Sequence, residues 1–243
     1  MMNQTLSTLD GVLLVDKAPG MTSHDVVAIV RRQLGTKKVG HCGTLDPLAT
    51  GLLIIVLGRG TKIQDLLMSE DKEYVGTMTL GTTTDSQDGD GQIVETRPVP
   101  DDLTLEKLET VFARFDGDFY QMPPMVSAIK QGGVPLYKLA RQGQTVERAP
   151  RFVHVFAHEI QAWRSPDIDF RVVCSKGFYV RTYAFDIGEM LGCGAHLKGL
   201  RRTQSGRFDL RRAVTVEEIK TLPTAELKAR ILSLPEVSRL RGA

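Results

Sequence analysis

Six consecutive aliphatic residues, Leu52-Leu-Ile-Ile-Val-Leu57, constrain the fold of this 243-residue chain more than any other stretch. The run is far short of the ~20 apolar residues a helix needs to cross a bilayer. Fed by a glycine-rich polar loop over residues 36–51, it reads as a strand. Gly11–Val15 reads as a second, buried strand, ended by the turn Lys17-Ala-Pro-Gly20. Ser23 reads as the N-cap of a helix carrying Val26, Val30 and Leu34 on one face and closed by Gly35. Further along, Thr61–Met68 predicts a short helix, Glu73–Leu80 a strand and Thr104–Phe115 an amphipathic helix. Residues 116–150 mix prolines and glycines around a short helical piece at Tyr137–Arg141, an excursion from the core. Phe152–Trp163 and Ile168–Cys174 predict a hairpin turning at Arg164–Asp167. Helices are expected at Arg181–Leu191 and Glu217–Leu222, with a basic segment, Gly199–Arg212, between them, and Thr224–Leu234 is helical in character. The order predicts an α+β fold in one continuous domain, residues 1–243.

Composition narrows the class. At 42% hydrophobic and 25% charged the chain is ordinary globular material, large enough to need no disulfide or metal staple. Cys42, Cys174 and Cys193 are odd in number and form no C-x-x-C, which fits a reducing cytosol and gives no zinc signature. The start, MMNQTLSTLDG, has neither a basic nor an apolar leader region. A cytoplasmic protein without membrane attachment is expected. The net charge of +2 hides an asymmetry: residues 1–122 hold 11 Lys/Arg against 18 Asp/Glu, residues 123–243 hold 20 against 11. A basic half within a near-neutral chain suggests a cationic face for a polyanion.

The chemistry concentrates in Gly40-His-Cys-Gly-Thr-Leu-Asp-Pro-Leu-Ala-Thr-Gly51. Pro47 biases Asp46 away from helical backbone, so the loop can hold a lone carboxylate rigidly at a strand end. In Cys174–Thr182, Tyr179 and Arg181 fall on one side of an extended segment, pairing a ring for base stacking with a cation able to keep a carboxylate ionised. Tyr74 adds an aromatic at the start of a strand.

These blocks carry a resemblance. Gly11–Ser23, Gly40–Leu53, Asp71–Tyr74, Gln121–Ala128, Leu136–Gly143, Cys174–Thr182 and Leu191–Thr203 are similar, in order, to the bacterial tRNA pseudouridine synthase B family. That family isomerises the uridine at tRNA position 55, in the TΨC loop. The resemblance implies the family's mainly antiparallel mixed sheet with flanking helices and an RNA-clasping insertion at about 120–150. It implies catalytic roles for Asp46, for Tyr74 stacking on the uracil, and for Arg181 as the aspartate's partner. Tyr179 and Leu200 match pocket residues, His41 a histidine that accommodates the flipped nucleotide, and Lys17 a structural lysine. Relatives commonly add a C-terminal domain of the PUA type, for which this chain, ending at Ala243, leaves no room. The implied partner is the TΨC stem-loop of tRNA, bound by a monomer without guide RNA.

The reaction breaks N1–C1′, turns the uracil and joins C5 to C1′. With no net redox change and no hydrolysis it calls for neither cofactor nor metal. A carboxylate can act as a covalent nucleophile or as a base starting elimination through the ribose, and both routes stay open. Arg201, Arg202, Arg207, Arg211 and Arg212 are expected on RNA phosphates. Asp85, Asp88, Asp90 and Gly91 look like a calcium loop, but with Ser86 as the first ligand the twelfth position is Arg97 where a glutamate belongs. His154 and His158 lie on a strand with no third metal ligand nearby. Cys42 beside His41 does not make a thiol nucleophile, because neighbouring side chains of an extended loop diverge. Two other classes stay open: a non-catalytic RNA-binding module and a guide-dependent subunit of a ribonucleoprotein.

Overall fold

In the computed structural model, residues 9–127, 129–136, 139, 142–144 and 146–242 are described. They divide into two compact units where the sequence predicts one continuous domain. The first unit joins the chain up to Glu70 with the segment from Arg201 onward; the second is Asp71–Leu200. Charge is uneven between the units as well, though less than between the chain halves: the first holds 17 Lys/Arg against 11 Asp/Glu, the second 14 against 18.

The first unit is built on the aliphatic run. Strand Thr50–Leu57 pairs antiparallel with Gly11–Lys17 in register from Gly11↔Leu57 to Lys17↔Gly51. Val39–Cys42 pairs antiparallel to its far half, Arg201 and Arg202 pair parallel to Thr50 and Gly51, and Val214–Thr215 pairs parallel to the first strand. Leu52 through Leu57 are all fully buried, so both faces of this strand are covered. That is why its sequence runs continuously apolar instead of alternating. One face packs Leu52, Ile54 and Val56 with Val12, Leu14, Phe208, Leu232 and Val237. Helix Ser23–Leu34 is amphipathic as expected, burying Val26, Val30 and Leu34 and ending on left-handed Gly35. Its cap is one residue earlier than predicted. Thr22 and Asp25 form a reciprocal capping box, and this frees the Ser23 hydroxyl for the interior. Helices Val216–Thr221 and Leu234–Arg241 open on capping boxes of the same kind, and Thr224–Ala229 lies between them.

In the second unit, Lys72–Leu80, Asp167–Cys174, Arg151–Arg164 and Gly117–Gln121 pair antiparallel in that order. The predicted hairpin is present, its turn containing a cis Ser165–Pro166 bond. Helix Leu105–Phe112 and helix Val180–Met190 supply Phe112 and Tyr183 to an aromatic cluster with Phe170, Phe115 and Phe178. Their rings meet mostly edge to face at 5.4–6.3 Å, the arrangement the ring quadrupole favours. Of the excursion, a short ladder pairs Lys130–Gln131 with Val134–Pro135, and Arg148 donates to the Pro123 carbonyl at 2.9 Å. The helical piece expected at Tyr137–Arg141 rests on Tyr137, Lys138, Ala140 and Arg141, which lie outside the described residues.

Candidate active site

Asp46 stands partly exposed in the loop between Val39–Cys42 and Thr50–Leu57, and the first unit pins that loop residue by residue. Ser23, buried in the first turn of its helix, accepts from the Leu45 amide at 2.8 Å and donates to the Leu45 carbonyl at 3.1 Å. Beyond Asp46, the Pro47 carbonyl accepts from the Gly20 amide at 2.9 Å and from the Lys17 ammonium at 3.3 Å. Lys17 also donates to the carbonyls of Ala18 and Met21, so all its proton directions are used. Burial pushes Lys17 down to about 8, against the pull of the Asp46 and Asp25 charges. Within the loop, the Ala49 amide donates to the Asp46 carbonyl at 3.0 Å. Each of these bonds removes freedom from the backbone on either side of the carboxylate, as a preorganised site requires.

His41 lies on the strand leading into this loop, its ring edge-on to His24 at 5.1 Å. Burial, then electrostatic interaction with His24 and Arg202, pushes it down to about 4, so the imidazole is neutral at physiological pH. Its Nδ1 is buried without a hydrogen-bond partner among the described residues.

The second unit positions the other expected residues. Tyr74 is buried at 8% exposure on the strand Lys72–Leu80, opposite Val172. Two residues on, Gly76 leaves room for a neighbour: a Cβ there would stand 3.3 Å from the Leu200 side chain. The Cys174–Thr182 segment is not extended to its end, as the sequence reading has it. Helix begins at Val180, which puts Arg181 in the first turn and Tyr179 at the cap. Gln121 holds Tyr179 as a strand partner would, accepting from its amide at 2.7 Å and donating to its carbonyl at 3.0 Å. Arg181 is 3% exposed, donates to the carbonyls of Ser86 and Val126, and faces the Asp88 carboxylate at 3.6 Å. Asp88 is fixed in turn by the Ser86 hydroxyl and the Asp90 amide. The acidic stretch weighed as a calcium loop is thus a cradle for Arg181. Among the described residues no group of three His, Cys, Asp or Glu side chains could hold a metal ion.

The basic cluster departs from expectation. Arg202 is 1% exposed, with its Nε donating to the Leu52 carbonyl at 2.7 Å and its Nη2 to the Gly43 carbonyl at 3.1 Å. It is part of the interior and presents nothing to a phosphate. Arg201 pairs with Asp16 at 2.6 Å, Arg211 with Asp209 at 2.6 Å and Arg212 with Glu236 at 3.7 Å. Arg207 is exposed. Four side chains of the five, not all, remain accessible to a polyanion.

The N-terminal domain model of the TruB family pseudouridylate synthases matches residues 31–180. The chain belongs to this family. The C-terminal domain model of tRNA pseudouridylate synthase B matches residues 181–235 as well. The chain is 53% identical to a tRNA pseudouridine synthase B of Opitutus terrae, over 95% of both chains. It is 50% identical to one of Syntrophotalea carbinolica, over 95% of this chain and 75% of that one. Among solved structures it resembles the Nop10–Cbf5 complex of an archaeal box H/ACA sRNP at 29% identity and a TM-score of 0.70, over 95% of this chain and 62% of that one. The sequence reading assigned no site role to Ser23, Gln121 or Asp88, which hold Leu45, Tyr179 and Arg181. Ser23 had a signal, the hydroxyl of Thr22 beside it that could cap in its place, and Thr22 is the N-cap. For Gln121 and Asp88 no local pattern points to their partners, which lie 58 and 93 positions away.

Proposed function

We propose that this chain acts in the cytoplasm, as a monomer and without guide RNA, to convert the uridine at tRNA position 55 to pseudouridine. The observation that carries the reading is the Asp46 loop, bonded on both sides of the carboxylate by Ser23, Gly20 and Lys17. A uracil inside a stacked loop must be extruded before any group can reach its glycosidic bond. Asp46 then attacks C1′ or removes a ribose proton, and N1–C1′ breaks with its electron pair left on the uracil. The ring turns and C5 bonds to C1′ as the Asp46–C1′ bond breaks, or, in the elimination route, as Asp46 returns the ribose proton; the C5 proton is lost to a base and N1 ends protonated. Tyr74 stacks on the ring, and its hydroxyl is a candidate for the proton step. Arg181 partners the carboxylate, Tyr179 and Leu200 line the pocket, His41 presents a neutral imidazole to the extruded nucleotide, and Lys17 holds the loop.

A guide-dependent reading draws on the H/ACA relative. Identities of 50–53% to enzymes named for tRNA, against 29% to the ribonucleoprotein subunit, favour the stand-alone reading. The deciding experiment is purified protein on unmodified tRNA with no other RNA present. Pseudouridine at position 55 supports the proposal; product only on adding a guide RNA overturns it.

A further inference from the structure

Arg202 is the largest fully buried side chain of the described residues, and it is a cation. An arginine stays protonated at any working pH, so its charge in the interior has to be met by acceptors. The acceptors it finds are the carbonyls of Gly43 and Leu52, which bracket the segment carrying Asp46. Two diverging N–H directions on one planar group reach both ends of that segment; an ammonium, a point charge on a single stem, is poorly shaped for this. Its backbone joins in. Arg202 pairs with Gly51, and its carbonyl would lie 2.3 Å from any Cβ there, at a φ of 96°. Gly51 therefore has both a conformational and a steric reason to be glycine.

We propose that Arg202 is a positioning residue for the catalytic loop, closing the Gly43–Leu52 segment at both ends and so setting where the Asp46 carboxylate stands. It works beside Ser23 and Lys17 but differs from Lys17 in one respect. Lys17 is pushed down to about 8 and gives up its charge in mild alkali, whereas a guanidinium group as a class is not deprotonated in proteins. The charge also reaches His41, whose protonation it opposes.

The inference rests on Asp46 being the catalytic carboxylate, and the test separates the two. Arg202→Met and Arg202→Lys are compared with wild type in turnover of unmodified tRNA, in tRNA binding across salt, and in the NMR titration of the His41 ring. Misplacing a reacting group by about 1 Å costs on the order of 100-fold in rate. Arg202→Met is therefore expected to lose tens-fold to about 100-fold in kcat, with Kd within about threefold and an unchanged salt slope. Arg202→Lys recovers part of the loss, and the His41 titration moves upward in the methionine variant alone. Wild-type kcat in either variant overturns the proposal. So does a loss confined to Kd with the salt slope reduced by about 0.7–0.9, the mark of a phosphate contact. If Arg202→Met does not fold, Arg202→Lys decides: reduced kcat at wild-type Kd supports the proposal. Asp46→Asn, run alongside, reports on the underlying reading. Turnover there sinks that reading, while loss there with wild-type kcat in the Arg202 variants sinks only this one.

Discussion

The Ser23 hydroxyl brackets Leu45, accepting from its amide and donating to its carbonyl at 2.8 and 3.1 Å, immediately before Asp46 in the chain. Ser23→Ala leaves both backbone groups without that partner in a buried setting, at a cost of about 1–3 kcal/mol in stability. The expected result is a tenfold or greater fall in kcat with tRNA affinity near wild type. Thr22→Ala is the control. It removes the capping box one residue away, costs about 1 kcal/mol of stability and leaves kcat unchanged. Denaturant melts and single-turnover rates on both variants check this; equal kcat losses would contradict it.

His41 links stability to pH with a definite sign. Its folded value of about 4 lies below the ordinary 6.5. Between those values the unfolded chain holds a proton that the folded one does not. Acidification through that window therefore favours unfolding, and the stability is fully present above 6.5. In His41→Gln the loss between pH 6.5 and 4 should be smaller than in wild type by on the order of 2 kcal/mol. Denaturant melts across that range measure it, and parallel curves for the two proteins would contradict the placement.

Much of this was legible in the chain. The aliphatic run, the Asp-Pro loop and the hairpin are local patterns, each set by residues close together in the chain. What stayed hidden depends on partners far along the chain. Arg202 belongs by sequence to a basic cluster, yet its acceptors lie about 150 positions away and make it interior. Ser23 and Thr22 both satisfy a cap pattern; the tertiary bond to Leu45 decides which one caps. Arg181 was legible as the start of a helix, but its partners Ser86 and Asp88, more than 90 positions away, were not.

Burial of Arg202 also sharpens the expected salt response. Arg201, Arg207, Arg211 and Arg212 remain accessible, three of them in surface ion pairs worth little each. Arg207→Ala should flatten the log–log dependence of tRNA affinity on salt by about 0.7–0.9. Filter-binding titrations from low to moderate salt measure the slope. An unchanged slope removes Arg207 from the RNA contact.

Tyr74→Phe separates stacking from proton abstraction, because it keeps the ring and deletes the hydroxyl. A phenol near pKa ~10 is a weak base at neutral pH, but its loss should still lower kcat by about 100-fold if it takes the C5 proton. Turnover at the wild-type rate would leave Tyr74 a stacking platform only.

The central claim, that the Asp46 carboxylate carries out uridine isomerisation, is tested most directly by Asp46→Asn. The variant is incubated with unmodified tRNA, position 55 is mapped for pseudouridine, and tRNA binding is measured in the same buffer. Since phosphate contacts supply most of the affinity, binding is expected within a few-fold of wild type while product is absent. Pseudouridine formed by the variant at a measurable rate would contradict the assignment.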